Sequence, residues 1–464
     1  MPLILGAQSA TTATAVVSNS CRFNSGDDPV MEKSLGTPTS TKIFTVSAWV
    51  KAMSDASADT CVAGGYVSSS DVWNLQFGAS KIQLTGTGNL DLATTQVFRD
   101  PGAWWHICMA VDTSQVTDTN RVKLYVNGTQ ITSFSTSTYP TQDDVPAWCN
   151  SSATLYVGNG RTSGALNKPF EGYIAEFCFV DGQQLAPTSF GEFDSDSPTI
   201  WKPIDVSGLT FGDNGCYLDF EDSANLGNDA NGGTDLTETN LAATDQCTDT
   251  PVNNFATFNP LKDGRMNGGT EYTATFTEGN TTSTFAETSY NTAAFSSLAV
   301  NSGKYYAEIK CSNAGGNTKL GLFSADDYGN DDFSGTYLYD SSGTFGGSAY
   351  GDSFTTGDII SIAFDADNGT IWCGKNGTWQ DSATQGEIEA GTTTNSAATG
   401  IDMTQLWNFG TYGVTATAFQ ANFGNPSFAI TSGNADGDGY GNFEYAVPSG
   451  YYALCTKNLG AYGG

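Results

Sequence analysis

"WWHICMAVDTSQVTDTNRVKLYVNGTQI", residues 104–131, reads as an apolar strand, an acidic turn, a second apolar strand with an aromatic, and then Asn127-Gly128-Thr129. Asn-Gly supplies two residues that tolerate positive φ, which a tight hairpin turn requires. The same order recurs in "IAFDADNGTIWCGKNGTWQ", residues 362–380. There Phe364 ends a strand, Asp365 to Gly369 form the turn, "TIWCGK" returns, and Asn376-Gly377 makes the next turn. The parallel reflects shared hairpin chemistry rather than a duplication.

Working outward from the first hairpin, strand signals begin at "FTVSAWVKA" (44–52), where Phe44, Val46, Ala48 and Val50 alternate with the face carrying Trp49. They continue through "WNLQFG", "KIQLTG", "ATLYVGNG" and "FEGYIAEFCFVDGQQL", with one short helical turn in "LAPTSFGEFD" (185–194). Around the second hairpin the strands are "GKYYAEIKC", "TKLGLFSADD", "TYLYDSSG", "LWNFGTYG" and "AFQANFG". No helix of useful length interrupts either set. The fold class is all-β, two β-sandwich (jelly-roll) domains in tandem. Residues 1–40 read as an N-terminal arm or an edge strand, 41–230 as the first sandwich, 231–262 as a turn-rich acidic connector, and 263–464 as the second sandwich.

Composition fits this division. A chain of 464 residues with 39% hydrophobic and 12% aromatic residues holds two cores, and only 14% of residues are charged. Forty-nine acidic against 18 basic residues give a net charge of −31, which repels a phosphate backbone and argues against nucleic-acid or anionic-membrane binding. No run approaches the about 20 apolar residues of a membrane span. The opening "MPLILGAQSATTATAVVSNS" has no basic residue and no apolar stretch of signal length, so no secretion signal is expected. The ten cysteines never stand closer than 29 residues apart, which excludes local zinc knuckles and redox pairs and favours buried thiols over disulfides.

The segment 104–131, followed by "PFEGYIAEFCFVDGQQL", resembles the concanavalin A-like, laminin G-type jelly roll over about residues 40–190. "GCYLDFEDSANLGNDANGG" (215–233) also resembles an opening strand of such domains, which implies a permuted or extended sandwich reaching about residue 230. "SGKYYAEIKC", "GDIISIAFDADNGTIWCGKNGTW" and "ANFGNPSF" with "FEYAVPSGYYAL" follow the order of a SPRY domain, with "AITSGNADGDGYGN" (429–442) inserted. A jelly roll followed by a SPRY domain is similar to structural proteins of marine bacteriophages. That resemblance implies a place on the exterior of a virion.

His106 is the single histidine and sits mid-strand, as a packed or hydrogen-bonded core residue does, so histidine-based covalent hydrolysis is not expected. Glycoside hydrolysis needs two carboxylates about 5–10 Å apart. The nearest segment, "EFDSDS" with Glu192 and Asp194, lacks the Glu-x-Asp-x-x-Glu pattern of the jelly-roll glucanases, so no enzyme is assigned. For calcium, Asn434, Asp436 and Asp438 precede a glycine as in an EF-hand loop, but Tyr445 stands where the twelfth-position Glu belongs. "DADNG" (365–369) and "SADDYGNDD" (324–332) are acidic turns of the same kind, and a solvated turn is the competing reading for all three. Trp73, Trp148, Tyr328, Tyr350, Trp379 and Tyr412 fall near turns beside Asp, Asn or Gly, where they suit either stacking on sugar rings or subunit contacts.

The expectation is a non-enzymatic phage virion protein, a fibre or capsid-decoration component. It attaches to other virion proteins by one end, forms homo-oligomers and contacts a host-surface glycan or receptor. The alternative is a free soluble carbohydrate-binding lectin that uses calcium, and a glycan depolymerase comes third. No cofactor other than calcium enters any of these readings.

Overall fold

A computed structural model describes residues 17–53, 59–86, 90–162, 164–263, 265–267, 270–289, 291–326 and 335–463. The protein is all-β, and its chain divides into two compact units, one ending at Val252 and the other starting at Asn253.

In the N-terminal unit, two antiparallel eight-stranded sheets enclose one core. The strand Ile43–Ala52 lies between Trp105–Asp112 and Gly172–Asp181, and side-chain alternation gives its two faces different work. Phe44, Val46, Ala48 and Val50 enter the core between the sheets, where they meet Ile107, Met109 and Val111 of the neighbouring strand. Thr45, Ser47, Trp49 and Lys51 point the other way, yet they too are buried, because Trp104, Tyr173, Trp201 and Val17 form a second layer on the outside of that sheet. The hairpin turn at Asn127-Gly128 has φ of 46° and 76°, so both residues adopt the left-handed backbone that the sequence anticipates.

The described part of residues 1–40 belongs to this sandwich. Ser20–Phe23 pairs on one side with Gly172–Asp181 and on the other with Gln246–Cys247, while Val30–Ser34 lies between Thr154–Val157 and Thr237–Thr239. Cys21, Phe23, Val30 and Met31 are buried, so these strands are interior to their sheets rather than a free arm or an edge. The stretch 231–262 likewise differs from a connector. Its first part supplies the two short edge strands just named, and its last part, Phe258–Asp263, pairs with Thr292–Val300 in the C-terminal unit. Two ion pairs hold it: buried Arg22 to half-buried Asp245 at 3.1 Å, and Lys51 to Asp249, both buried, at 2.7 Å.

The C-terminal unit is a second sandwich, with a seven-stranded and an eight-stranded sheet around a core that includes Phe258, Leu320, Ile362, Phe409 and Phe419. Ile359–Asp365 and Thr370–Lys375 form the hairpin read from "FDADNGTIWCGK", and Asn376-Gly377 again has φ of 48° and 80°. Asp365 is fully buried and organises the turn: Oδ1 accepts the amides of Asp367 and Asn368, Oδ2 accepts the Asn368 side chain, and Lys304 pairs with it at 2.9 Å. Buried Glu308 pins the returning chain by accepting the backbone amides of Glu444 and Tyr445, the Tyr306 hydroxyl and the Asn422 amide. All ten cysteines lie among the described residues as buried thiols, none in a disulfide. Burial raises the pKa of Cys61 and Cys216 to about 12, which keeps these thiols protonated and unreactive.

Candidate functional site

The second sheet of the N-terminal unit carries Trp73, Leu75 and Phe77 into the core, so Asn74 and Gln76 face outward from the same strand, Asp71–Gly78. Neither is left to solvent, because the chain after strand Thr154–Val157 folds back over them. The Asn74 side chain donates to the Arg161 carbonyl at 3.2 Å, and Lys168 donates to Gln76 at 2.6 Å and to Asp59 at 3.2 Å. Gly160 lets this loop lie flat, since a Cβ there would come within 2.6 Å of the Cys61 Cβ.

The fold-back loop delivers one cation to the sheet surface. The Arg161 guanidinium sits 4.7 Å from the Tyr156 ring centroid and 5.1 Å from that of Tyr66. It also pairs with Glu32 at 3.2 Å and donates to the Gly164 carbonyl at 3.0 Å. Glu32 stands directly opposite Tyr156 in the paired strands, so cation, carboxylate and both rings share one face. The site is open: 24% of the Arg161 side chain and 31% of the Glu32 side chain are exposed. Half-buried Gln83 and Thr85, opposite Gln76 and Asn74, continue the polar surface. Tyr156 is only 2% exposed beside the guanidinium, so what this surface offers a polyhydroxylated ligand is the cation, the carboxylate and the half-buried Tyr66 ring: hydroxyls need both donors and acceptors, and a C–H face stacks on a ring.

None of these four residues was singled out from the sequence. The available signal was Tyr156, an aromatic alternating with core Leu155 and Val157 and therefore on the other face of the sheet, where it is covered.

The residues that were singled out are scattered. Trp73 and Trp148 are buried in the core, corrections to the reading of loop aromatics. The turn around Trp148 folds inward, so its ring stacks on Phe44 at 5.6 Å and its Nε1 donates to the Trp73 carbonyl. Tyr350 is 9% exposed, and its hydroxyl accepts from the Cys373 amide. Trp379 and Tyr412 are half-buried, but they belong to different sheets of the C-terminal unit. Tyr328 lies outside the described residues.

The "NADGDG" turn does not fit a calcium ion. Asp436 is buried, and both its oxygens are occupied: Oδ1 accepts the amides of Asp438 and Tyr440, and Oδ2 accepts the Ala453 amide and the Asn458 side chain. Asn434 turns its amide nitrogen toward the Phe443 and Glu444 carbonyls, and Asp438 accepts from the Tyr462 hydroxyl. The insertion is thus tied to the C-terminal helix Thr456–Tyr462 through Asp436. Among the described residues, no group of three or more His, Cys, Asp or Glu side chains is placed to hold a metal.

His106 accepts the Trp201 indole proton at Nδ1, 3.0 Å away, so its own proton is on Nε2, which donates to Ser47 at 2.8 Å. Burial pulls its pKa down to about 3, so it stays a neutral bridge within the outer layer. Glu192 and Asp194 both contact Lys202, at 3.4 and 3.3 Å, and backbone donation from Ser197 leads the effects that hold Asp194 below the usual carboxylate range. A carboxyl held in this way does not supply the proton that a glycosidic leaving group requires. No helix among the described residues is long and apolar enough to cross a membrane.

The family model for laminin G-type domains, described as the concanavalin A-like lectin/glucanases superfamily, matches residues 24–184. The N-terminal unit therefore carries a laminin G-like, concanavalin A-type jelly roll. A search of curated proteins returned no match. Among solved structures, the chain is similar to the SPRY domain of human HERC1, with 18% identity over 35% of this chain and 96% of that one and a TM-score of 0.26. It is also similar to the native heptameric SAP-like pentraxin of Limulus polyphemus, with 14% identity, 37% and 80% coverage and a TM-score of 0.28. Domains LG4-5 of the mouse laminin alpha1 chain align with 12% identity, 87% and 84% coverage and a TM-score of 0.29.

Proposed function

We propose that this chain is a non-enzymatic glycan-binding protein displayed on the exterior of a bacteriophage particle, as a fibre or capsid-decoration component. The observation that carries the binding half of this reading is the open Arg161–Glu32 pair, set against Tyr66 and Tyr156 on the outer face of a lectin-type jelly roll. The virion half rests on the resemblance of a jelly roll followed by a SPRY-like sandwich to marine phage structural proteins. A net charge of −31 agrees with a solvent-facing protein that stays soluble when crowded on a particle. Weak single-site contacts would then be multiplied by copy number, so useful avidity needs no tight individual site.

Two measurements test the halves separately. Glycan-array binding by the purified protein, lost in Arg161→Ala and Tyr66→Ala, supports the site, and equal binding by both variants overturns it. Imaging of purified virions should find ordered copies on the particle surface. Glycan binding without such copies would favour a free lectin.

A further inference from the structure

Lys51 and Asp249 meet at 2.7 Å between Nζ and Oδ2, and neither side chain is more than 1% exposed. Around them the second layer supplies an aromatic enclosure. The Lys51 Nζ is 5.5 Å from the Tyr173 ring centroid, and Trp49, Trp104, Trp201 and Met53 pack in the same cluster. The Trp104 indole donates to the other carboxylate oxygen, Oδ1, at 2.9 Å. Separated charges are costly in such surroundings, and any step that removes both charges is favoured there.

We propose that Lys51 and Asp249 condense into an intramolecular isopeptide bond. Proton transfer from the ammonium to the Asp249 carboxylate gives a neutral amine and a neutral acid. The amine lone pair then attacks Cγ of Asp249, and the Trp104 N–H holds Oδ1 as negative charge develops on it. The surplus proton on nitrogen then passes to the departing Oδ2 hydroxyl. One C–N bond forms, one C–O bond breaks and one water leaves, with no oxidant, cofactor or second substrate. The cross-link joins the strand Ile43–Ala52 to the end of the unit across 198 residues, so the unfolded chain would retain a closed loop. For a protein that carries load between a particle and a surface, such a loop limits how far this unit can extend.

The test is the intact mass of the full-length wild-type chain under denaturing conditions, followed by trypsin mapping. The expected mass is lower than that of the sequence by one water, about 18 Da, with the loss located in a branched peptide that contains Lys51 and Asp249. Lys51→Arg should show the full mass. Asp249→Asn should still cross-link, with loss of ammonia, about 17 Da. Wild-type chain at the full sequence mass overturns the proposal, as does a loss that maps to any other peptide, such as a succinimide at an Asn-Gly or Asp-Gly step. A full mass in a variant counts only where its circular dichroism matches that of the wild type, because the bond forms only in the folded chain.

Discussion

Lys51 and Arg161 belong to the same unit, and each is a cation held by one carboxylate and by aromatic rings. Lys51 and Asp249 are closed off on every side, whereas a quarter of Arg161 and almost a third of Glu32 remain in contact with solvent. The chemistry of the two sites is nearly equal, and enclosure separates their roles. A sealed pair can act only on the fold, because its donors and acceptors are saturated from within. An open pair contributes little to the fold and keeps hydrogen-bonding capacity for a ligand. What places each pair is the layer outside its sheet. Trp104, Tyr173 and Trp201 cover one sheet, while the chain that returns from Arg161 to Lys168 meets the outer face of the other.

Removing one partner from the sealed site should give the largest effect. Whether the wild-type pair is ionic or condensed, Asp249→Ala leaves the Lys51 charge buried and frees the Trp104 indole from its acceptor, so it should destabilise the N-terminal unit by about 3–5 kcal/mol. Urea unfolding followed by tryptophan fluorescence would measure it. A loss below about 1 kcal/mol would place this pair in the same class as Arg161 and break the contrast.

Next comes the Asp436 turn of the C-terminal unit, which is sealed as Lys51 is but by hydrogen bonds alone. Asp436→Asn keeps the size and removes acceptors, turning an N–H toward the Ala453 amide or the Asn458 side chain. About 2 kcal/mol should be lost, because a buried donor is left without an acceptor. Added calcium should leave the melting temperature of the wild type unchanged, since the four donors already occupy the oxygens a cation would need.

Glu176 lies between the extremes. It occupies a bulge in strand Gly172–Asp181, with a backbone φ of 51°, and accepts the Tyr217 hydroxyl at 2.7 Å. Burial raises its pKa to about 7, with Asp219, Glu221 and Asp205 adding to the rise and the Tyr217 hydrogen bond opposing it. The folded protein therefore binds this proton more tightly than the unfolded chain does. The stabilisation is complete below the unfolded value near 4.5 and is lost as pH rises through about 7. On the order of 1–3 kcal/mol should disappear between pH 5 and pH 8, since each pH unit separating the folded and unfolded values is worth about 1.4 kcal/mol. Glu176→Gln should flatten that part of the stability profile while leaving other slopes in place.

The sequence revealed what depends on near neighbours along the chain. Alternation placed Phe44, Val46, Ala48 and Val50 on one core face, the two Asn-Gly pairs marked turns, and the mid-strand position of His106 marked a core residue. It failed where a role is settled by a distant segment. Trp148 looked exposed because Asp, Asn and Pro surround it, yet Phe44, more than a hundred positions away, takes its ring. Asp436 alternates with oxygens as a calcium loop does, but its donors arrive from Ala453 and Asn458. The Arg161 site needs Glu32, Tyr66 and Tyr156 from three strands, and strand register, which brings them together, is not written in any one of those segments.

Arg161→Ala should produce the smallest stability change and the clearest functional one. Half-exposed pairs of this kind contribute about 1 kcal/mol or less, because water screens the charges and ordering the long side chain costs entropy. The same substitution removes the cation between Tyr66 and Tyr156 and leaves Glu32 without it, so binding of a glycan at this face should weaken tenfold or more, about 1.4 kcal/mol. Arg161→Lys separates charge from geometry, since an ammonium keeps the charge but cannot lie flat against both rings while pairing with Glu32. Binding restored by lysine would make the site a point charge. Binding lost in both variants, with urea midpoints within error of the wild type, would make the planar guanidinium against the tyrosines the feature that the ligand reads.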